Sequence, residues 1–231
     1  MTDHTVVGHD EWVAARTALL AKEKEFTRSR DDLSRQRREL PWERVAKQYV
    51  FEGPRESETL LDLFDGRSQL IVYHFMFEPE GDAGCPHCSF WADSFDRNVV
   101  HLAAHDTTLV AVSRASVAKL ESYRRRMGWG FHWTSSGDGD FNADLCVSFT
   151  PDEYESRVYN YGSQAPGLAD REGVSVFVRV GDDVFHTYSA YARGIDLLNS
   201  AYNYIDLTPR GRDEEGRQPQ YWVRRHDEYG R

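Results

Sequence analysis

The chain has 231 residues, 40% of them hydrophobic and 29% charged, with a formal net charge of −10. That composition fits an ordinary globular protein of one α/β domain with extensions. The acidic balance argues against a nucleic-acid partner, and no apolar run has the length needed to cross a membrane. Three cysteines, an odd number, do not make a secreted disulfide framework. Residues 1–10 are polar and lack the apolar centre of a signal peptide, so the expected compartment is the cytoplasm.

Residues 10–40 predict one long helix. Trp12, Leu19, Phe26, Leu33 and Leu40 recur seven apart, while Ala15, Lys22, Ser29 and Gln36 between them are small or polar. This is half of a heptad. It serves either as a brace laid across a domain or as a homodimer contact. Arg28 to Arg38 mixes both charge signs and reads as a solvated face. Pro41 stops the helix. Residues 45–52 predict a short strand closed by Gly53-Pro54. Ser57 to Phe64 predicts a helical turn capped by Ser57.

Residues 70–77, Leu-Ile-Val-Tyr-His-Phe-Met-Phe, form an apolar run of strand length, rich in β-branched and aromatic residues. Such a run suits a strand buried on both faces. Gly81 and Gly84 break it. Cys85-Pro86-His87-Cys88 follows, opening a helix over 86–104. Proline suits a first helical position, where its missing N–H has no partner to lose. Cys85 then sits at a helix N-terminus, where unpaired N–H groups and the helix dipole favour a thiolate. A free cysteine near pKa ~8.5 drops to roughly 3.5–7.5 in such settings. Cys85 is the candidate nucleophile and Cys88 the candidate resolving thiol. Pro86 and His87 are the candidate tuning residues, since a protonated His87 would further stabilise the thiolate.

Thr107–Ser113 predicts a second buried strand and Ser116–Met127 a helix ended by Gly128. Residues 129–134 predict a third strand. Strand, helix, strand, helix, strand implies right-handed crossovers and parallel pairing. Residues 135–172 are irregular. Val174–Val180 and Val184–Tyr191 predict a hairpin about Gly181-Asp182. Gly194–Ile205 predicts a last helix. The tail from Thr208 is charged, with Tyr221-Trp222-Val223 as a docking segment. The expected organisation is residues 1–44 as an N-terminal helical extension, 45–207 as the main domain and 208–231 as the tail.

This order of elements, with a CxxC between a strand and its helix, is the thioredoxin arrangement. The chain resembles the domain-of-unknown-function 899 group, which are thioredoxin-like predicted dithiol–disulfide oxidoreductases. The resemblance runs through Glu39-Leu40-Pro41-Trp42, Leu63-Phe64-Asp65-Gly66-Arg67 and Tyr73-His74-Phe75-Met76-Phe77. It continues through Cys85–Cys88, Ser113-Arg114-Ala115, Arg126-Met127-Gly128-Trp129, Asp140-Phe141-Asn142 and His226-Asp227-Glu228-Tyr229. It implies a thioredoxin-like α/β fold, a mixed sheet flanked by helices, and a thiol–disulfide activity without a cofactor. The Pro86-His87 dipeptide also lies between the cysteines of strongly oxidising periplasmic thioredoxin relatives. The chain departs from the thioredoxin pattern in one place. A thioredoxin carries a cis-proline before the strand that follows the irregular segment, whereas this chain has Asp170-Arg171-Glu172-Gly173 there. That substitution resembles a peroxiredoxin-type branch.

Three functions follow as expectations. The first is a thiol–disulfide oxidoreductase acting on a protein or small-molecule disulfide. The second is a thiol peroxidase, in which one cysteine forms a sulfenic acid and the other resolves it. The third is a non-enzymatic scaffold whose pair binds zinc or is idle. Cys85-x2-Cys88-x12-His101-x3-His105 has finger-like spacing. On one continuous helix, however, the histidines lie roughly 20 Å from the cysteines at ~1.5 Å per residue. No four-ligand metal site is expected. Trp91, Trp129 and Trp133 are candidate walls of a groove beside the pair, with core packing the alternative. Cys146 is expected to be a buried structural cysteine.

Overall fold

The computed structural model describes residues 4–230. The chain divides into two compact units between Pro41 and Trp42.

The first unit is helix α1 (His9–Arg38) with its flanks. Asp10 and Glu11 open it and Arg35, Arg37 and Arg38 close it, so charge complements the helix dipole at both ends. The Arg35 guanidinium bridges Asp32 and Glu39 at 2.6 and 2.7 Å. None of the thirty helical residues is buried.

The second unit is an eight-stranded sheet with helices on its faces. In chain order it runs β1 (Glu43–Arg44), β2 (Val50–Glu52), β3 (Ser57–Thr59), β4 (Gln69–His74), α2 (Pro86–Phe95) and α3 (Val99–Ala104). Then come β5 (Thr107–Ser113), α4 (Val117–Met127), β6 (His132–Ser135), α5 (Phe141–Asp144), β7 (Gly173–Val180), β8 (Asp183–Tyr191) and α6 (Ser200–Ile205). The spatial order is β1-β8-β7-β4-β5-β6-β2-β3. β4, β5 and β6 are parallel, and every other pairing is antiparallel. The fold is a thioredoxin-like mixed α/β fold with a long N-terminal helix.

β4 is central because it is apolar on both faces. Ile71, Tyr73 and Phe75 point into a core shared with α2, α4 and the tail; Leu70 and Val72 point into a second core with Phe64, Val110, Val112, Phe141 and Phe177. The two-residue period of a strand produces this split. Tyr73, Phe75, Trp129, Phe131 and Trp133 form a contiguous aromatic cluster, with Phe75 and Trp133 ring centroids 4.5 Å apart. Offset and edge-on ring contacts of this kind add to area burial.

Several elements differ from the sequence expectation. Of the strand expected at 45–52 only Val50–Glu52 forms, as β2 beside β6; β1, which ends just before that range, pairs with β8 near the opposite edge of the sheet. The intervening residues carry the chain across. Ser57 does not cap a helical turn. Ser57–Thr59 pairs with β2, and a single 3-10 turn at Asp62–Phe64 follows, held by Thr59 Oγ1 donating to Asp62 at 2.6 Å. The helix over 86–104 breaks at a 3-10 turn, Asp96–Asn98. The Asp96 carboxylate accepts from the Gly130 and Phe131 N–H groups at 2.7 and 3.2 Å. Those bonds also keep residues 129–131 out of the third strand, which begins at His132. The last helix is a 3-10 segment, Ala192–Leu198, then α6, with Asn199 Oδ1 accepting from Tyr202 N–H at 3.2 Å.

Candidate functional site

The loop after β4 brings both cysteines back onto the end of that strand. Phe75 and Phe77 continue to bond toward β5, through Phe75 N–H to Val112 C=O at 2.9 Å and Ala115 N–H to Phe77 C=O at 2.8 Å. This fixes the peptide of Met76 between them. Its C=O accepts from Cys85 N–H at 3.0 Å, and its N–H donates to the Cys88 sulfur at 3.4 Å. Cys85 is the N-cap residue of α2, and Pro86 occupies the first turn. Ser89 ties the turn down, its N–H and its hydroxyl both donating to Cys85 C=O at 3.0 and 2.8 Å.

Gly84 lies against the aromatic core. A Cβ there would stand 2.7 Å from Phe75 and 2.9 Å from Tyr123, so the close approach requires glycine. Its carbonyl accepts from the Arg225 guanidinium at 2.7 and 3.1 Å. Arg225 also donates to the Tyr123 hydroxyl at 2.9 Å. The tail is thus part of the site. Val223 is buried and Trp222 packs edge-on against Phe90 at 5.4 Å. His226 meets Asp93 at 2.7 Å, and the same carboxylate oxygen accepts from the Trp129 indole at 2.8 Å.

The two sulfurs differ in environment. Cys85 is half-buried and Cys88 is 1% exposed. The Cys85 thiol lies well below the ordinary thiol range. The largest cause is a hydrogen bond from the Cys88 thiol; His87 adds a hydrogen bond and its charge, and burial opposes them. Burial and then the neighbouring Cys85 sulfur push Cys88 well above that range. His87 is pushed up chiefly by its hydrogen bond to Cys85, and its ring also meets the Gln220 backbone of the tail. The asymmetry thus draws on the Cys88 hydrogen bond and His87 for the fall of Cys85, and on burial for the rise of Cys88.

Two residues that sequence reasoning missed complete the site. The Tyr73 hydroxyl is buried without a well-formed hydrogen bond and lies beside Cys88. Glu172, just before β7, is half-buried and acts electrostatically on Cys85, Cys88, His87 and Tyr73. Burial raises its carboxyl above the ordinary range. Tyr73 carries no local signal beyond strand alternation, and Glu172 is far from the pair in sequence.

The proposed groove is not open. Trp91, Trp129 and Trp133 are 4, 5 and 0% exposed and pack within the aromatic core, so they support the site from beneath. Cys146 is half-buried beside a small separate cluster with Val147, Phe149, Tyr159 and Tyr191, rather than fully buried. Among the described residues, no group of three or more His, Cys, Asp or Glu side chains is arranged to hold a metal ion. His101 lies on α3 and His105 just beyond it, past the break after α2. No cis peptide bond occurs among the described residues. No helix of the described residues is long and apolar enough to cross a membrane.

Residues 1–229 match a family described as bacterial protein of unknown function, DUF899. The chain belongs to this family. No curated protein matches it. Its fold is similar to that of peroxidoxin BcpB from Mycobacterium tuberculosis, at 14% identity and a TM-score of 0.50, over 72% of this chain and 97% of that one. It is equally similar to bacterioferritin comigratory protein of Xanthomonas campestris, a protein described by its alkyl peroxide reduction activity. That match has 14% identity and a TM-score of 0.50, over 70% of this chain and 94% of that one. The DUF899 chain therefore shares the thioredoxin-like architecture of peroxiredoxins, and carries its two cysteines where β4 hands over to α2.

Proposed function

We propose that this DUF899 protein is a thiol–disulfide oxidoreductase. The observation that carries the reading is the placement of two thiols one turn apart at the start of α2, Cys85 half-buried at its N-cap and Cys88 buried behind it on the Met76 N–H, and the opposite pKa displacements agree with it. The Cys85 thiolate attacks a substrate disulfide and expels one thiolate, forming a mixed disulfide. The Cys88 thiol loses its proton and attacks the Cys85 sulfur. The Cys85–Cys88 disulfide forms, and the second substrate thiol leaves. Two electrons pass to the substrate, and a cellular dithiol returns them to the protein. The hydrogen bond from Cys88 and the charge of His87 stabilise the Cys85 thiolate, which makes it a good leaving group when the reduced pair is restored.

The peroxide reading comes second, favoured by the activity named for the Xanthomonas relative. There the Cys85 thiolate attacks a peroxide oxygen, giving a sulfenic acid and an alcohol. Cys88 then displaces water to close the same disulfide. Turnover of a protein or glutathione disulfide, compared with turnover of hydrogen peroxide under a shared reductant, separates the two. The first reading expects faster disulfide turnover, lost in Cys85→Ser. Stoichiometric zinc in protein purified without added metal, with neither turnover, would replace both with a scaffold.

A further inference from the structure

The β4–β7 register ends with His74 opposite Gly173. The next residue on the β7 side is Glu172, which therefore stands beside the Phe75–Met76 step. Met76 holds both cysteines through its peptide. The backbone of Glu172 is pinned there, because its C=O accepts from the Tyr159 hydroxyl at 2.6 Å. Gly173 beside it leaves no room for a side chain, as a Cβ would lie 2.6 Å from the Tyr191 ring. The carboxylate has no tight ion pair. Arg171 Nε is 3.9 Å away and itself buried without a hydrogen-bond partner, its guanidinium lying over Tyr159 at 4.8 Å.

Resolution of a mixed disulfide needs an acceptor for the Cys88 proton, and the groups around that sulfur are few. Once Cys85 is bonded to substrate, its sulfur is no longer a base. The Tyr73 phenol holds its proton far above neutral pH because it is buried. His87 lies on the Cys85 side of the pair, with the Gln220 backbone as its other partner, and is not among the groups that act on Cys88. Tyr159 is occupied with the Glu172 backbone, and Arg171 is a cation. Glu172 is the carboxylate whose charge acts on Cys88, on the strand end that faces the Phe75–Met76 step.

We infer that Glu172 accepts the proton of the Cys88 thiol as that sulfur attacks Cys85, an inference that rests on the thiol–disulfide reading above. Proton transfer converts a thiol and a carboxylate into a thiolate and a neutral acid. One negative charge moves, and a second is never created in a poorly solvated site. The Cys88–Cys85 bond forms, the bond from Cys85 to the substrate sulfur breaks, and the leaving thiolate takes its electron pair. Glu172 then returns the proton to that thiolate.

Reduced protein carrying Cys146→Ser is mixed with one equivalent of dithiobis(nitrobenzoate) in a stopped-flow instrument. Attack by Cys85 releases the first thionitrobenzoate, and resolution by Cys88 releases the second. The first phase shows that the site of each variant is intact. In Glu172→Gln the first phase stays within about threefold, while the second slows by roughly a hundredfold at pH 7, the scale of general base catalysis. Its rate then rises tenfold per pH unit, as for an unassisted thiol, and Glu172→Asp recovers part of the loss. A second phase in Glu172→Gln with the rate and pH profile of the parent overturns the assignment. So does a second phase that is lost in His87→Gln and untouched in Glu172→Gln. A parent that releases one equivalent only overturns the thiol–disulfide reading, and this inference with it.

Discussion

The backbone N–H of Met76 donates to the sulfur of Cys88 at 3.4 Å. That bond aims a buried thiol at the preceding turn, where it in turn donates to Cys85. The Cys85 thiolate therefore depends on Cys88 as a donor as well as on the helix terminus. Cys88→Ala is expected to raise the Cys85 pKa more than Cys88→Ser, since serine keeps a hydroxyl donor. His87→Gln raises it as well, by removing a cation. Alkylation rates followed from pH 4 to 10 read each value directly. Equal titration of Cys85 in the alanine and serine variants would exclude the thiol hydrogen bond as its main support.

Helix α1 keeps Trp12, Leu19, Phe26 and Leu33 at 56, 51, 70 and 47% exposure. The sequence raised a homodimer through this stripe, and we propose an antiparallel pairing. Asp10 and Glu11 of one copy then face Arg35, Arg37 and Arg38 of the other. Sedimentation at micromolar concentration should show a dimer that Phe26→Glu converts to monomer, with the second unit unchanged. A parent sedimenting as a monomer would remove the interface.

His74 is buried, with Nε2 2.9 Å from Ser175 Oγ and Nδ1 3.4 Å from Asn142. Burial pulls its pKa down to about 4 from the ordinary 6.5. Between those values the unfolded chain binds a proton that the folded chain does not. Its contribution is therefore complete above pH 6.5 and declines as the pH falls toward 4. The loss is on the order of 3 kcal/mol, at about 1.4 kcal/mol per pKa unit. Urea midpoints at pH 7 and pH 4.5 should differ more in the parent than in His74→Gln. Equal differences would mean that His74 does not titrate as a buried group.

Gly84 and Gly128 make a controlled pair. At Gly84 an added Cβ meets Phe75 and Tyr123 at 2.7 and 2.9 Å. Gly128 has open space around it but a φ of +66° at the end of α4. Gly84→Ala should cost about 1–3 kcal/mol through overpacking and slow Cys85 alkylation by shifting the loop. Gly128→Ala should cost about 1 kcal/mol of backbone strain and leave alkylation unchanged. Thermal melts and iodoacetamide rates distinguish them, and matched alkylation rates would rule out steric control of the cysteine loop by Gly84.

Local chemistry determined a good deal of this protein from its sequence alone. Apolar runs of strand length, Pro86 at a first helical turn and Gly128 past a last one act through neighbouring residues, so α1, β4, β5, α4 and the β7–β8 hairpin were legible. So was the position of Cys85 at a helix start. The tertiary structure decided whatever depends on partners distant in sequence. Asp96 shortened β6 by capturing the Gly130 and Phe131 amides, and pairing with β3 and β6 confined the strand expected at 45–52 to Val50–Glu52. The tryptophans read equally as groove or core until the two faces of β4 were both covered. Arg225 reached Gly84, and Glu172 came beside the strand end that holds the cysteine loop, only because the tail and β7 returned to the end of β4. Hydrogen bonds and charges act across a few ångströms of space, and no spacing along the chain encodes those distances.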